Sequence, residues 1–553
     1  MLIGKFIIFK KLFNLLYSSL NNQSSLTYMF YYHSIKMCLS IATQPSLRTV
    51  VLHSSFVSSL SKLIRVFMGI YEQHGAAGVD PLMQETISLS LELIAQISLD
   101  SIEEGLSGVL LVEAIPAVNM LALHGDKDLR VLFVVTLRKL APPLLRKYLL
   151  ESNITETKVK SLLDIFNGLV HFLPALLKDE DPIPQYIIRT FAEIIGISDN
   201  FSQLLSVKFR VSGLTKLFVA LLVNDNSMMT ASPRSPSNFD LPDVQLIHLI
   251  RGLFDHSDSP LTIITYTSAN SSHSPSKTTS TSTSTSTFKE STLIAGIIKL
   301  ISSSVIKRDL ELLVALLGLL SSILHYLIRL QTANENESSL SQTQNNLRRS
   351  PTDMNEIRQI CTGLSSASFT LLYIISWHPK DFSNNNMESN MVEDRRTSFG
   401  DVQSSLLASI QETCSRCLGI LFDLYPVTVV NQIIDGDTHL IKAYNCAHPT
   451  TSKILSHILI GNFVDINIRI RLLKLLLSII KVSSSLTSRN SLKIKDFLSK
   501  SEIKEALETV SYISSSTSLK SSEQLSSYTD EDSSKTLNSL AFKILQGSKD
   551  IGN

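Results

Sequence analysis

Between Val50 and Asp225 apolar residues recur every three or four positions, in blocks of helix length separated by breaks of only a few residues. That spacing leaves little room for any regular structure other than the α-helix. In 50–72, Phe56, Leu60, Leu63, Ile64 and Phe67 fall on one stripe. Gly75 and Gly78 then mark a turn, and Asp80-Pro81 supplies an N-cap and a first-turn proline for a helix carrying Ile87, Leu91, Ile94 and Ile97. Further helices are predicted over 102–123, 127–140 (opened by Asp126 or Asp128), 155–177 (opened by Thr155 and closed at Lys178), 184–196 and 202–223.

None of these helices buries its broad apolar face alone. The chain is 553 residues long, 44% apolar, with 20 Gly, 17 Pro and a single Trp, Trp377. It is too long for one core and too poor in turn residues for a long all-β chain. Helix pairs arriving near a 40-residue repeat point instead to an all-α, HEAT/armadillo-like α-solenoid, in which each unit covers the next. On this reading 1–49 is an N-terminal helical segment, 50–225 a first repeat block, 226–290 polar inserts around one helix, 291–482 a second repeat block and 483–553 a Ser/Lys-rich tail. The second block holds helices over 291–303, 308–330, 354–378, 401–424 and 464–482, with the helix over 243–255 preceding it. Four polar stretches, 226–242, 257–290, 332–353 and 380–400, contain too few apolar residues to offset ordering entropy and are expected to be disordered loops.

Charge and cysteine content narrow the function classes. Fifty basic against 49 acidic residues give a net charge of +1, so no global field draws the chain to nucleic acid or anionic lipid. Five cysteines form no secreted-type framework, which suits a cytoplasmic, reducing setting. The opening MLIGKFIIFKKLFNLLYSSL is interrupted by Lys5, Lys10 and Lys11; it reads as an amphipathic helix or an irregular start rather than a targeting peptide. The block 308–330 is apolar over many turns, but Arg308, Asp309, Glu311, His325 and Arg329 bracket or interrupt it, so a buried repeat helix is expected and no membrane span.

No catalytic, cofactor-binding or metal site is expected. The phosphate-cradling glycine patterns and the kinase signature set are absent from the sequence, and Ser398-Phe399-Gly400-Asp401 only brushes against one of them. Cys414 and Cys417, with Cys446 and His448, have the spacing of a zinc site; the first pair sits in a helical pattern with Leu406, Ile410, Leu418 and Leu421, which makes buried thiols the better reading. Glu103-Glu104 and Asp179-Glu180-Asp181 read as first-turn charges favoured by helix dipoles rather than acid/base couples. Ser232, Ser235, Ser274 and Ser350 each precede proline and Ser398 follows Arg395-Arg396-Thr397, so these five are candidate phosphorylation sites within the polar stretches.

Residues 162–225, followed after an insert by VQLIHLIRGLF, resemble the C-terminal HEAT-repeat region of the Unc-51-like kinase four and RUNKEL family. The residues carrying the resemblance are Leu176-Leu177, Asp179-Glu180-Asp181, Pro182-Ile183-Pro184, Phe201 and Leu204-Leu205. They describe a tight corner in which acids cap the incoming helix and prolines fix its entry angle. The resemblance implies a scaffold that binds other proteins around microtubules, cilia or cytokinesis. It carries over no ATP binding, because this chain lacks the matching residues. Two other readings stand beside it: an armadillo-type import adaptor, and the regulatory portion of a serine/threonine kinase or pseudokinase.

Overall fold

The computed structural model describes residues 25–43, 54–75, 79–96, 108–149, 155–223, 244–265, 292–340, 363–379, 396–436, 438–444, 450–483, 488–517 and 528–550. Every regular element among them is helical, and they divide into two units, Met1–Ile263 and Ile264–Asn553.

The first unit alternates two kinds of helix. Helices α1 (Ser25–Ala42), α2 (Ser54–His74) and α3 (Pro81–Ala95) are followed by a composite segment: a π turn over Leu110–Ala114, α4 (Ile115–Asn119) and a 3-10 turn over Met120–Leu123. Next come α5 (Lys127–Leu149), α6 (Glu156–Leu176), α7 (Ile183–Ile194), α8 (Asp199–Val211), α9 (Leu214–Leu222) and α10 (Val244–Asp255). Helices two places apart in sequence stack side by side. One layer runs α1, α3, α5, α7, α10; the other runs α2, the composite segment, α6 and the α8–α9 pair. Phe67, Phe133, Phe166, Phe191, Phe209 and Phe218 fill the space between layers. At roughly 25 cal/mol per Å², such faces stabilise only when a neighbouring helix covers them.

Local signals set several boundaries. The Asp80 carboxylate accepts the Leu82 N–H at 2.8 Å with Pro81 in the first turn, as the sequence predicts. The Asp126 carboxylate likewise accepts the Asp128 N–H at 2.8 Å. Between α8 and α9, Gly213 has φ of +77°, a left-handed turn that a side chain would strain. Other boundaries differ from expectation. Helix α5 does not stop at 140 but continues through Pro142 and Pro143, because Leu144, Leu145 and Leu149 remain buried. The hydroxyl of Thr155 pairs with Thr157 at 2.9 Å instead of capping α6.

The second unit repeats the two-layer scheme. Its helices are α11 (Thr292–Lys307), α12 (Leu310–Leu340), α13 (Ser368–Ile375), α14 (Arg396–Leu424), α15 (Pro426–Asp435), α16 (Thr438–Ala443), α17 (Thr451–Ile460), α18 (Ile466–Ser483), α19 (Ser488–Leu498), α20 (Ser501–Thr517) and α21 (Tyr528–Asp550). Helices α12, α14, α18 and α21 form one succession of neighbours, and α13, α17 and α20 another. Helix α12 buries Leu312, Leu313, Leu316, Leu320, Ile323 and Leu324 against α11 and α14. By length and composition alone, Leu310–Ala333 and Val159–Leu176 are each apolar enough to cross a bilayer.

Three polar stretches hold more structure than their composition suggested. Residues 332–340 continue α12, since no Gly or Pro interrupts them. Residues 396–400 open α14. In 257–263, Ile263 is buried and Asp258 meets Arg210 at 2.7 Å, so this part of the insert closes the first unit's last corner. Apart from 264–265, the remaining parts, together with 226–242, lie outside the described residues. The tail after 483 is also more than a loose end: Ile503, Ala506, Leu507 and Val510 of α20 and Leu537, Ala541 and Ile544 of α21 are buried, and α21 packs on α18.

Candidate protein-docking surface

In a stacked array, equivalent positions of successive repeats are neighbours, so functional surfaces arise from residues one repeat apart. On the layer formed by α1, α3, α5 and α7, such residues join adjacent helices. Tyr32 of α1 donates to the Glu85 carboxylate of α3 at 2.9 Å, and Lys36 donates to Tyr32 at 3.0 Å. That hydrogen bond raises the Lys36 pKa. Arg138 of α5 pairs with Glu193 of α7 at 3.2 Å and lies 5.8 Å from the ring centre of Tyr186. Tyr and Arg side chains already held by neighbours cost little entropy to bury and are the residue types that dominate protein interfaces.

The corners carry a second set of links. Arg130 grips Asp179 through Nε–Oδ2 at 2.7 Å and Nη2–Oδ1 at 2.9 Å, while Nη1 donates to the His124 carbonyl at 2.7 Å. Lys127 meets Glu180 at 2.7 Å, and Gln84 donates to Asp126. The acids 179–181 were expected to cap α7; instead Pro182 occupies the N-cap position with no side-chain cap bond, and Asp179 and Glu180 receive cations from the preceding corner. Dipole attraction in water is weak, whereas a bidentate guanidinium–carboxylate contact is strong and directional. Beneath these corners His124 lies 4.1 Å from Tyr71 and 5.5 Å from Phe67, ring centre to ring centre, and burial lowers its pKa.

In the second unit, Glu412 accepts from Arg471 at 2.5 Å and Arg416 at 2.9 Å, and its pKa is lowered chiefly by the Arg471 bond. Gln411 donates to the carbonyls of Ile375 and Trp377, both at 2.9 Å. On the same helix Cys414 and Cys417 are fully enclosed; burial pushes both thiols up, Cys417 to about 12 despite a hydrogen bond with Ser321. Thiols held protonated in this way are neither nucleophiles nor ready ligands. Cys446 and His448 lie outside the described residues, as do Glu103 and Glu104. Among the described residues no three His, Cys, Asp or Glu side chains converge as metal ligands. A cleft of about 320 Å³ is lined by Lys453, Ser456, His457, Ile460, Gly461 and Glu502. Of the five serines proposed as phosphoacceptors, Ser398 falls in the first turn of α14 rather than in a loop. Ser232, Ser235, Ser274 and Ser350 lie outside the described residues.

The sequence reading found no docking residue. The one signal that points to them is a separation of about one repeat between partners: 53 residues for Tyr32 and Glu85, 49 for Arg130 and Asp179 and 55 for Arg138 and Glu193. A period near 50 is longer than the 40 expected.

The layered helices and their inter-repeat links define a HEAT/armadillo-like helical-repeat protein. Residues 17–203 match the family described as "Serine/threonine-protein kinase ULK4-like, HEAT repeats", which supports the resemblance carried by the 176–205 corner. No curated protein matches the chain. Among solved structures, it aligns with a circular tandem repeat protein with novel repeat topology at 10% identity and TM-score 0.22, covering 100% of this chain and 97% of that one. It also aligns with a crystal structure of a Kap121p mutant at 10% identity and TM-score 0.26, covering 98% of this chain and 56% of that one. These TM-scores are too low to equate architectures.

Proposed function

We propose that this protein is a non-catalytic scaffold that holds other proteins against the α1–α3–α5–α7 layer. The observation that carries the reading is the linked set Arg138, Tyr186 and Glu193, pre-positioned across two repeats on a solvent-facing side. The context we infer for it, a cytoplasmic role at microtubules, cilia or the cytokinetic apparatus, is what the resemblance carried by the 176–205 corner implies. Phosphorylation at Ser232, Ser235, Ser274, Ser350 or Ser398 then regulates binding by adding negative charge, beside Arg234 for the first two, Arg348-Arg349 for Ser350 and Arg395-Arg396 for Ser398. Affinity purification with mass spectrometry tests this, comparing the wild-type chain with an Arg138→Glu, Tyr186→Ala double variant of unchanged helicity. Loss of a defined set of proteins is expected; an unchanged set overturns the surface. Co-sedimentation with polymerised tubulin tests the context.

A further inference from the structure

Helix α1 is the outermost described helix of its layer, and it packs on α3. Its inward side is complete: Tyr31, Ser34, Ile35, Cys38 and Ala42 are all buried. Its other side lacks the polar face with which a repeat array normally meets water at its end. Met29 is 51% exposed, Phe30 46% and Met37 46%, and at helical spacing the three share one face. The polar groups among them are drawn to the α3 side, where Tyr32 reaches Glu85. Lys36 donates to the Tyr32 hydroxyl at 3.0 Å and sits 5.1 Å from the ring centre, and His33 meets the same ring edge-on at 5.2 Å. What stays uncovered is an apolar strip along α1.

The chain itself supplies a segment that fits this strip. Residues 1–24 lie outside the described residues, and their sequence places Leu2, Phe6, Phe9, Phe13, Leu16 and Leu20 in steps of four, three, four, three and four. That alternation is the seam of two packed helices, and Lys5, Lys10 and Lys11 fall off it. Asn21-Asn22-Gln23-Ser24 separates Leu20 from the first residue of α1. Four polar residues suit the connection of an antiparallel helix pair in both length and composition. Folding about that turn brings Leu16 level with Met29, Phe13 with His33 and Phe9 with Met37. A helix over 2–20 is about 28 Å long and α1 about 27 Å, so the two match end to end. The short tether holds the segment at an effective concentration in roughly the millimolar range, which favours it over a second copy of the chain or a partner in solution.

We propose that residues 2–20 fold back as a helix antiparallel to α1 and lay Phe9, Phe13 and Leu16 on Met29, Phe30 and Met37. The layer then ends in a cap drawn from its own chain, and the strip is withheld from other proteins.

Hydrogen-exchange mass spectrometry of the full chain tests the contact. Amides 8–18 exchange at least about tenfold more slowly than in an unstructured peptide. Met29→Asp, Met37→Asp removes that protection, and so does Phe9→Asp, Phe13→Asp, while the amides of α5 and α7 keep theirs. An aspartate on α1 also loosens that helix by itself, so cysteine pairs supply a second measurement. Under mild oxidation Leu16→Cys, Met29→Cys and Phe9→Cys, Met37→Cys each form an intrachain disulfide, found as a linked peptide, whereas Leu16→Cys, Met37→Cys forms none because its Cα atoms stand too far apart. Unprotected amides at 8–18, protection that survives Met29→Asp, Met37→Asp, or a disulfide in the Leu16–Met37 pair alone overturns the proposal. Disulfides between chains in place of the intrachain ones assign the strip to a second copy and also overturn it.

Discussion

Arg130 and Asp179 face each other from successive corners as a two-pronged ion pair at 2.7 and 2.9 Å, with side chains only 16% and 13% exposed. The contact fastens the start of α5 to the loop that leads into α7. Arg130 also ties the carbonyls of His124 and Gly125, at 2.7 and 3.1 Å, so one side chain gathers two corners.

Removing the acid leaves a half-buried guanidinium without its main partner. Asp179→Ala is expected to destabilise the first unit by roughly 1.5–3 kcal/mol, and Arg130→Lys by about 1 kcal/mol or more, because an ammonium cannot reproduce the fork. Chemical denaturation and a double-mutant cycle measure the coupling. Additive effects of the two changes would contradict the pairing.

Close packing gives a second expectation. A Cβ built on Gly252 of α10 lies 2.5 Å from Cγ2 and 3.0 Å from Cγ1 of Ile195, at the end of α7. Alanine gains about 1 kcal/mol of helix propensity over glycine, but overpacking a β-branched neighbour costs about 1–3 kcal/mol. Gly252→Ala therefore lowers the melting temperature, and adding Ile195→Ala relieves the clash at the expense of a cavity. A stabilised Gly252→Ala protein would refute the close approach.

Asn119 offers a change of the opposite sign. It is buried, and neither its Nδ2 nor its Oδ1 has a hydrogen-bond partner. Replacing an unsatisfied buried amide with an apolar side chain of similar volume removes a desolvation cost of about 1–3 kcal/mol. Asn119→Leu is expected to raise the unfolding midpoint, read by circular dichroism.

His124 makes the first unit sensitive to mild acid. Burial lowers its pKa below the ordinary 6.5, so the unfolded chain takes up a proton at a higher pH than the folded one. Stability is full above about pH 6.5 and falls as the pH drops through the folded pKa. Unfolding midpoints from pH 7.5 to 5 should decline, and the decline should shrink in His124→Phe, which retains the ring contacts with Tyr71 and Phe67. An identical slope in the variant would place the effect elsewhere.

Glu412 behaves as the second unit's acid-sensitive contact. The bond from Arg471 lowers its pKa, so its contribution is present above the ordinary carboxylate value and disappears as the pH falls through the depressed one. Glu412→Gln should reduce stability at neutral pH and flatten the profile below about pH 4.5. A profile unchanged by this substitution would remove the pair from the account.

Sequence reading reached the helical class and most helices of the first unit because each depends on residues within a turn or two. Asp80-Pro81 opening α3 and the stripe of α2 are of this kind. The cysteines of α14 were legible as buried for the same reason: a three-residue step puts them on one apolar face. Polar composition was a poorer guide. Residues 332–340, 396–400 and much of 488–550 are helical although rich in Ser, Asn and Lys, since adding a residue to a helix that is already nucleated costs little.

By itself the sequence determined where most helices form and which faces are apolar, because the 3.6-residue period and the caps are written within each segment. Only the tertiary structure decided which helices are neighbours. That Arg130 meets Asp179, Arg138 meets Glu193 and Ser58 meets Glu113 depends on the stacking register between segments some 50 residues apart. Periodicity fixes a helix's buried face but not the axial offset of the helix laid against it, and the docking surfaces are made of those offsets.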